Sequence, residues 1–129
     1  MTAFTVQDAF SGFSVDDLDA ARRFYGDTLG LDVERNPMGF LEIRLASGGS
    51  ILVYDKPNHE PAGFTILNFP VADLDAAVDE LIAKGVQTKI YPDHVFPSDE
   101  RGIVRGGDRG PDICWFRDPA GNVLAVMQA

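Results

Sequence analysis

The chain has 129 residues, 45% of them hydrophobic, and a formal net charge of −9 from 20 acidic and 11 basic side chains. This size suits one compact domain or two small halves sharing a core, and the acidity excludes a nucleic-acid or anionic-lipid binder. No apolar run approaches the roughly 18 residues of a membrane helix, and no basic-then-apolar start indicates secretion. The single Cys114 fits a reducing compartment, so we expect a cytoplasmic protein without membrane partners.

In chain order, the first half has the pattern of a strand, a helix and three more extended segments. They are predicted at residues 4–15 (strand), about 17–28 (helix), 31–36 (extended), 40–46 and 51–55 (strands). The polar segment 56–63, rich in Pro and Gly, is predicted to be a linker. The second half repeats the order at 64–71 (strand), 74–84 (helix), 86–91 (extended), 113–118 and 123–128 (strands).

A seven-residue motif occurs twice and marks the start of both helices. Residues 15–21 are VDDLDAA, and residues 71–77 are VADLDAA. Each copy has an aspartate at the expected N-cap, and each helix is followed by a glycine suited to a left-handed C-terminal position. The aspartates are Asp17 and Asp73, and the glycines are Gly30 and Gly85. The shared entry, cap and exit predict a duplicated module.

Four segments in this order resemble the vicinal oxygen chelate superfamily, which includes glyoxalase I, extradiol dioxygenases and bleomycin-resistance proteins. The segments are VDDLDAARRFYGDTLGLDV (15–33), GGSILVY (48–54), VADLDAAVDELIAKGV (71–86) and FRDPAGNVLAVMQ (116–128). The resemblance implies an α+β fold of two tandem βαβββ modules, with curled mixed sheets around a central cleft and helices outside. It also implies one family-type domain over residues 1–129, with modules at about 4–55 and 64–128, and a homodimer.

The family's enzymes hold a divalent metal through His, Glu or Gln side chains on the first and last strand of each module. The first-strand ligand lies five residues before the motif valine, which gives Phe10 in the first module and Ile66 in the second. The last-strand ligand lies four residues after the turn glycine (Gly49 or Gly121), which gives Val53 in the first module and Ala125 in the second. All four are apolar, and sliding the register by two residues, which brings in Asp8, Asp55 or Asn68, never gives more than two donors. We therefore expect no metal and no other cofactor.

Strand alternation indicates which other side chains share the cleft with these positions. Leu41, Ile43 and Leu45 are expected under the helix, which leaves Glu42 and Arg44 facing the cleft, and matching the turns places Cys114 and Phe116 opposite them. The predicted cleft-lining, ligand-binding set is Asp8, Phe10, Glu42, Arg44, Val53, Asp55, Phe64, Ile66, Asn68, Cys114, Phe116 and Ala125.

Each of these positions also has a plainer interpretation. Glu42 and Arg44 suit a solvated pair, Asp8 and Asp55 suit solvent-facing strand ends, and the phenylalanines could simply fill the cleft. Cys114 has the surroundings of a small buried hydrophobe rather than a nucleophile. Trp115 is expected in the helix-side core, although a slip of one residue would turn it into the cleft.

The loop between Tyr91 and Asp112 has no counterpart in the first half. It carries Arg101, Arg105 and Arg109 among glycines. One interpretation is a lid that offers guanidinium groups to an anionic ligand. The other is a solvated loop whose arginines offset nearby aspartates.

The function expected from these features is metal-free binding of a hydrophobic, aromatic or cationic small molecule, similar to antibiotic sequestration by bleomycin-resistance proteins. The alternative is a glyoxalase-like lyase or isomerase with an atypical active site, in which Asp8, Glu42 or Asp55 would act as general acid or base. A third hypothesis is a structural module whose cleft is packed shut. No catalytic residue is assigned.

Overall fold

The structure is a computed structural model and describes residues 3–129. The chain divides into two compact units whose boundary lies between His59 and Glu60, inside the predicted linker. We call residues up to His59 unit 1 and residues from Glu60 unit 2. Among the described residues, no helix is long and apolar enough to cross a membrane.

Unit 1 has the predicted order of strand, helix and three strands. Its elements are β1 (Ser11–Val15), α1 (Leu18–Arg22), β2 (Asp32–Arg35), β3 (Leu41–Arg44) and β4 (Ser50–Asp55). The sheet order is β1-β4-β3-β2, with β1 parallel to β4 and the other pairs antiparallel. A parallel pair needs a crossover, which α1 supplies.

Unit 2 repeats this order with one strand fewer. Its elements are β5 (Thr65–Val71), α2 (Leu74–Ala83), β6 (Ile113–Arg117) and β7 (Val123–Gln128), in the sheet order β5-β7-β6. Among the described residues, 86–91 form no strand, although the sequence predicts an extended segment there. The place beside β6 is taken by Val104, which exchanges two backbone hydrogen bonds with Ile113 (2.8 and 3.0 Å). The α+β class is confirmed.

The aspartates of the repeated motif cap both helices as predicted. Asp17 accepts hydrogen bonds from two backbone N–H groups of α1 (2.9 and 3.1 Å), and Asp73 accepts one from the N–H of Ala76 in α2 (3.0 Å). Gly30 and Gly85 both have positive φ, 74° and 87°, which side chains with a Cβ rarely adopt. The helix starts and exits were therefore readable from sequence.

The helix of unit 1 changes type within its predicted length. After α1 the chain continues as a π-helical segment, Arg23–Thr28, so the helix predicted over about 17–28 is helical throughout but widens midway. Tyr25 in this segment is fully buried. Its ring packs against Phe13 of β1 with centroids 5.6 Å apart, which joins the helix to one face of the sheet.

Each sheet has a face against its helix, here called the helix-side face, and an opposite one, the far face. In unit 1 the buried helix-side set is Phe13, Val15, Leu41, Ile43, Ile51 and Val53. In unit 2, Gln128 accepts a hydrogen bond from the Leu74 N–H of α2 (3.0 Å), so alternation assigns Leu124 and Val126 to the helix side. Their cross-strand partners there are Phe116 and Cys114.

On the far face of each sheet, side chains of neighbouring strands lie side by side as register partners, and the two units place equivalent positions in such a row. Gly12, Leu52 and Glu42 are register partners in unit 1. In unit 2 the corresponding row is Asn68, Ala125 and Trp115.

Four residues that were predicted to line the cleft lie on the helix-side face instead of the far face. Val53 is fully buried opposite Leu41, and Cys114 and Phe116 are buried on the helix side of unit 2. Asp55 is the register partner of buried Val15, so it too belongs to the helix-side row, at the exposed end of β4. Trp115, expected in the helix-side core, lies on the far face instead.

The choice of turn glycine explains this error. Gly48 has φ of 100° and donates its N–H to the Leu45 carbonyl (2.9 Å). Gly121 has φ of 86° and donates in the same way to Asp118 (3.0 Å). Gly48, not Gly49, therefore corresponds to Gly121. Counting from it moves the last-strand position of unit 1 from Val53 to Leu52.

Candidate ligand-binding site

Three aromatic rings gather on the far face of unit 2. Trp115 packs against Phe96 and Tyr91 with ring centroids 4.7 and 5.4 Å away, and Tyr91 and Phe96 are 5.2 Å apart. Trp115 comes from β6, whereas the other two rings come from the loop after α2. We call Tyr91, Phe96 and Trp115 the aromatic cluster. The sequence did not indicate this cluster, because Trp115 was expected on the opposite face.

The cluster is fixed at its base and exposed at its edge. The indole N–H of Trp115 donates to the Thr65 hydroxyl of β5 (3.2 Å), which satisfies its polar atom. Phe96 is 39% exposed, and Phe64, which immediately precedes β5, is 70% exposed. Ring surface of the cluster is thus available to a ligand beside the sheet of unit 2.

A small cavity lies behind the rings. Its volume is about 10 Å³, the space of about one water molecule. The segment around Gly102 and Val104 forms one wall and Trp115 another. The cluster is therefore well packed, and a ligand of several rings would contact its exposed surface rather than enter this cavity.

The far face of unit 1 has a different, more polar character. Ser14 and His59 share a hydrogen bond of 2.7 Å between Oγ and Nδ1, and the rings of Phe40 and Tyr54 lie 6.3 Å apart. None of these four belongs to the predicted cleft-lining set, although Ser14 follows Gly12 by two residues and so shares its face.

Two charged residues predicted for the cleft also lie on this face. Glu42 is half-buried between its register partners Leu52 and Glu34. Arg44 forms an ion pair with Glu34 (3.0 Å), with about half of each side chain exposed. The sequence suggested a solvated pair of Arg44 with Glu42, whereas the ion pair in the structure joins Arg44 to Glu34.

The remaining predicted residues are spread along strand ends and edges. Asp8 and Phe10 precede β1 and are exposed, and Asp8 accepts a hydrogen bond from the Ala9 N–H (2.8 Å). Ile66 lies in the irregularity of β5 between Thr65 and Leu67. Their part in ligand binding stays a prediction.

The residues at the family's metal positions do not fit a metal. After the correction at Gly48, the four positions are Phe10, Leu52, Ile66 and Ala125, and none of their side chains has an oxygen or nitrogen donor. Among residues 3–129, no three His, Cys, Asp or Glu side chains are grouped closely enough to hold an ion.

The loop arginines bind aspartates. Arg101 contacts Asp75 (2.6 Å) and Asp79 (2.9 Å) of α2, and Arg105 contacts Asp75 (2.9 Å) and Asp112 (3.0 Å). Hydrogen bonds from Arg105 and Arg101 lower the pKa of Asp75 to about 2. This arrangement favours the interpretation in which the arginines offset neighbouring acids, rather than a lid with guanidinium groups held for a ligand.

Two further predicted residues, one in the loop and one in β6, differ in exposure. Arg109 lies exposed in a 3₁₀ turn, Gly107–Arg109. Cys114 is buried, its thiol donates to the Thr88 carbonyl (3.2 Å), and burial raises its pKa to about 12. The prediction that Cys114 is a small buried residue is confirmed.

Comparisons with known proteins agree on one family. The model of the Glyoxalase/Bleomycin resistance protein/Dioxygenase superfamily matches residues 8–126. No curated protein matches the chain.

Three solved structures illustrate the likeness. A member of the same superfamily from Sphaerobacter thermophilus is 20% identical, with 95% of this chain and 98% of that chain covered and a TM-score of 0.68. TnmS3, an antibiotic binding protein from a Streptomyces species, is 23% identical, with 96% and 98% covered and a TM-score of 0.67. The oxidase ChaP-H2 is 23% identical, with 98% and 95% covered and a TM-score of 0.66. At these identities the likeness shows a shared fold.

Proposed function

Because the chain belongs to the Glyoxalase/Bleomycin resistance protein/Dioxygenase superfamily, we propose that it uses this scaffold to bind an aromatic or cationic small molecule without the family's metal. One observation carries the proposal. The far face of unit 2 presents the aromatic cluster beside Ala125, at the position where family enzymes place a metal ligand.

The chemistry of the cluster favours flat or positively charged ligands. Aromatic rings stack on one another in offset geometry, and their faces attract cations. The net charge of −9 adds a long-range attraction for a cation. A metal-dependent reaction would instead need oxygen or nitrogen donors that Phe10, Leu52, Ile66 and Ala125 do not supply.

A relative of the same fold gives the proposal a precedent. TnmS3 is described as an antibiotic binding protein, so the scaffold can serve binding of a drug-like molecule. By analogy, sequestration of such a compound is the role we propose for this chain.

A metal-independent lyase or isomerase is the second candidate, favoured by the polar far face of unit 1. The Ser14–His59 hydrogen bond of 2.7 Å orients an imidazole, the side chain that general acid–base catalysis uses most often. Glu42 lies half-buried on the same face. Turnover whose pH profile moves with Glu42→Gln or His59→Gln would favour this candidate over binding.

The binding proposal is tested with proflavine, a planar aromatic cation, by thermal shift and by quenching of Trp115, the chain's one tryptophan. We expect saturable binding that weakens about fivefold in Phe96→Ala, the equivalent of roughly 1 kcal/mol for one aromatic pair. Phe4→Ala is the matched control, because Phe4 is 96% exposed outside the cluster. Equal affinities in both variants, or no binding of proflavine and of its uncharged relative acridine, would contradict the proposal.

The metal-free part of the proposal has its own test. Zn²⁺, Ni²⁺, Mn²⁺ and Fe²⁺ should leave the melting temperature unchanged, and protein purified without chelator or affinity tag should carry no stoichiometric metal. A shift of several degrees that Phe10→Ala and Leu52→Ala leave intact would show that other side chains bind the ion.

The assembly and location are part of the same proposal. The family resemblance supports a homodimer, which light scattering on the purified chain would test. The lone, buried Cys114 suits a reducing cytoplasm, and fractionation of the source cells would test that location.

A further inference from the structure

Asp75 occupies a repeated position that differs between the two units. Within residues 3–129, its counterpart in the first copy of the motif, Asp19, has one ion pair, a 3.5 Å contact with Arg35. Asp75 accepts hydrogen bonds from Arg101 (2.6 Å) and from both terminal nitrogens of Arg105 (2.9 and 3.4 Å). The same helical position therefore connects α2 to a segment that unit 1 lacks.

The two arginines lie on either side of the segment 102–104, which supports the aromatic cluster. Gly102 and Ile103 are buried, and Gly102 lies so close to the Thr88 carbonyl that an added Cβ would be 1.9 Å from its oxygen. Val104 is bridged to Ile113 of β6. Gly102 and Val104 also line the cavity whose other walls include Trp115 and Phe96.

Further bonds fix the ends of this segment to the loop. Arg105 also contacts Asp112 (3.0 Å), whose other carboxylate oxygen accepts the N–H of Gly106 (3.0 Å). Asp99 accepts the N–H groups of Arg101 and Ile103 (2.9 and 3.0 Å). Among the described residues, Asp75 is the one carboxylate of α2 with ion pairs to both arginines, whereas Asp79 contacts Arg101. Asp75 therefore joins both ends of the segment to the helix.

We propose that Asp75 is a positioning residue for the aromatic cluster: by holding Arg101 and Arg105 together against α2, it fixes the segment 102–104 behind Trp115. As far as ligand affinity is concerned, this inference rests on the proposed binding function. The effect on Trp115 itself does not depend on it.

Asp75→Asn is the test variant, since it keeps the shape of the side chain and removes its charge. We expect red-shifted Trp115 emission, easier quenching by acrylamide and at least about threefold weaker proflavine binding, within the usual range for mutations that act through a neighbour. Asp75→Glu should restore much of each signal. Asp79→Asn is the matched control, one turn further along α2, because in the described part of the chain Asp79 has an ion pair with Arg101 and none with Arg105, and it is 65% exposed.

Salt supplies a second measurement that needs no variant to fold. About 1 M NaCl shortens the screening length to about 3 Å, which is comparable to the 2.6 and 2.9 Å contacts of Asp75. Salt should therefore weaken these pairs in part and move wild-type Trp115 fluorescence some way toward that of Asp75→Asn, while leaving Asp75→Asn itself nearly unchanged. Unaltered Trp115 emission and quenching in both Asp75→Asn and high salt would overturn the inference. If wild-type protein binds no proflavine but its Trp115 signals change as expected, the proposed function fails and the positioning role stands.

Discussion

Gly102→Ala tests whether the close approach of the loop to Thr88 is an essential contact. Two costs add at this position. A Cβ at φ of +89° is in a left-handed conformation, which costs about 1–2 kcal/mol for an L-residue. The new Cβ would also lie 1.9 Å from the Thr88 carbonyl oxygen and 2.8 Å from the Lys89 Cα, so the backbone has to separate by about 1 Å, for a total near 3–4 kcal/mol.

Gly85→Ala is the control, because it has nearly the same φ, +87°, but nothing within 4 Å of the new Cβ. It should lose only the conformational part, about 1–2 kcal/mol. Urea unfolding followed by Trp115 fluorescence measures both free energies. At about 4 °C per kcal/mol for a chain of this size, Gly102→Ala should melt roughly 12–16 °C below wild type and Gly85→Ala roughly 4–8 °C below it. Equal losses in the two variants would refute the contact with Thr88.

Three other predictions follow from burial and charge. Val53→Asp should prevent folding of unit 1, whereas Leu52→Asp should leave circular dichroism intact, because only Val53 is fully buried; the opposite result would restore the original register. Cys114 should react with a thiol reagent only after unfolding, since burial raises its pKa to about 12; prompt reaction of native protein would contradict this. Because Arg105 and Arg101 hold the pKa of Asp75 at about 2 against 3.8, its ion pairs stabilise the fold above about pH 4 and are lost as the pH falls toward 2, so melting of Asp75→Asn should depend less on pH in that window.

Local signals were sufficient to predict the helices and the order of strands. Asp17, Asp73, Gly30 and Gly85 each act within one turn of chain, so their effect on the backbone does not depend on distant contacts. The same holds for the turn at Gly121. Local sequence wrongly favoured a strand after α2, because residues 86–91 have an extended pattern. In the structure the place beside β6 is taken by Val104, which lies further along the chain.

Which side chains share a face was harder to predict, because strand periodicity turns an error of one residue into an error of face. SGGS offers two adjacent glycines, and only the positive φ and hydrogen bond of Gly48 show which one matches Gly121. The choice of Gly49 placed Val53 on the cleft side. The corresponding slip in β6 exchanged Trp115 for Cys114 and Phe116.

The partners of the loop arginines could not be predicted from the sequence, because they are distant along the chain. Arg101 and Arg105 have acids nearby in sequence, such as Asp99 and Asp112, but their shortest bonds include Asp75, 26 and 30 residues away. Charge density alone cannot distinguish a guanidinium held for a ligand from one held by a helix.

The corrected register strengthens the proposal that the site binds without metal. With Gly49 as reference, one of the four family positions, Val53, is a core residue whose apolar nature would be explained by burial alone. With Gly48 as reference, that position becomes Leu52, which lies in the far-face row with Gly12 and Glu42. Leu52 is only half-buried, so folding does not demand an apolar residue there. In unit 2 the same row places Trp115 beside Ala125, so the face that holds a metal in relatives carries here the ring on which a flat ligand can stack.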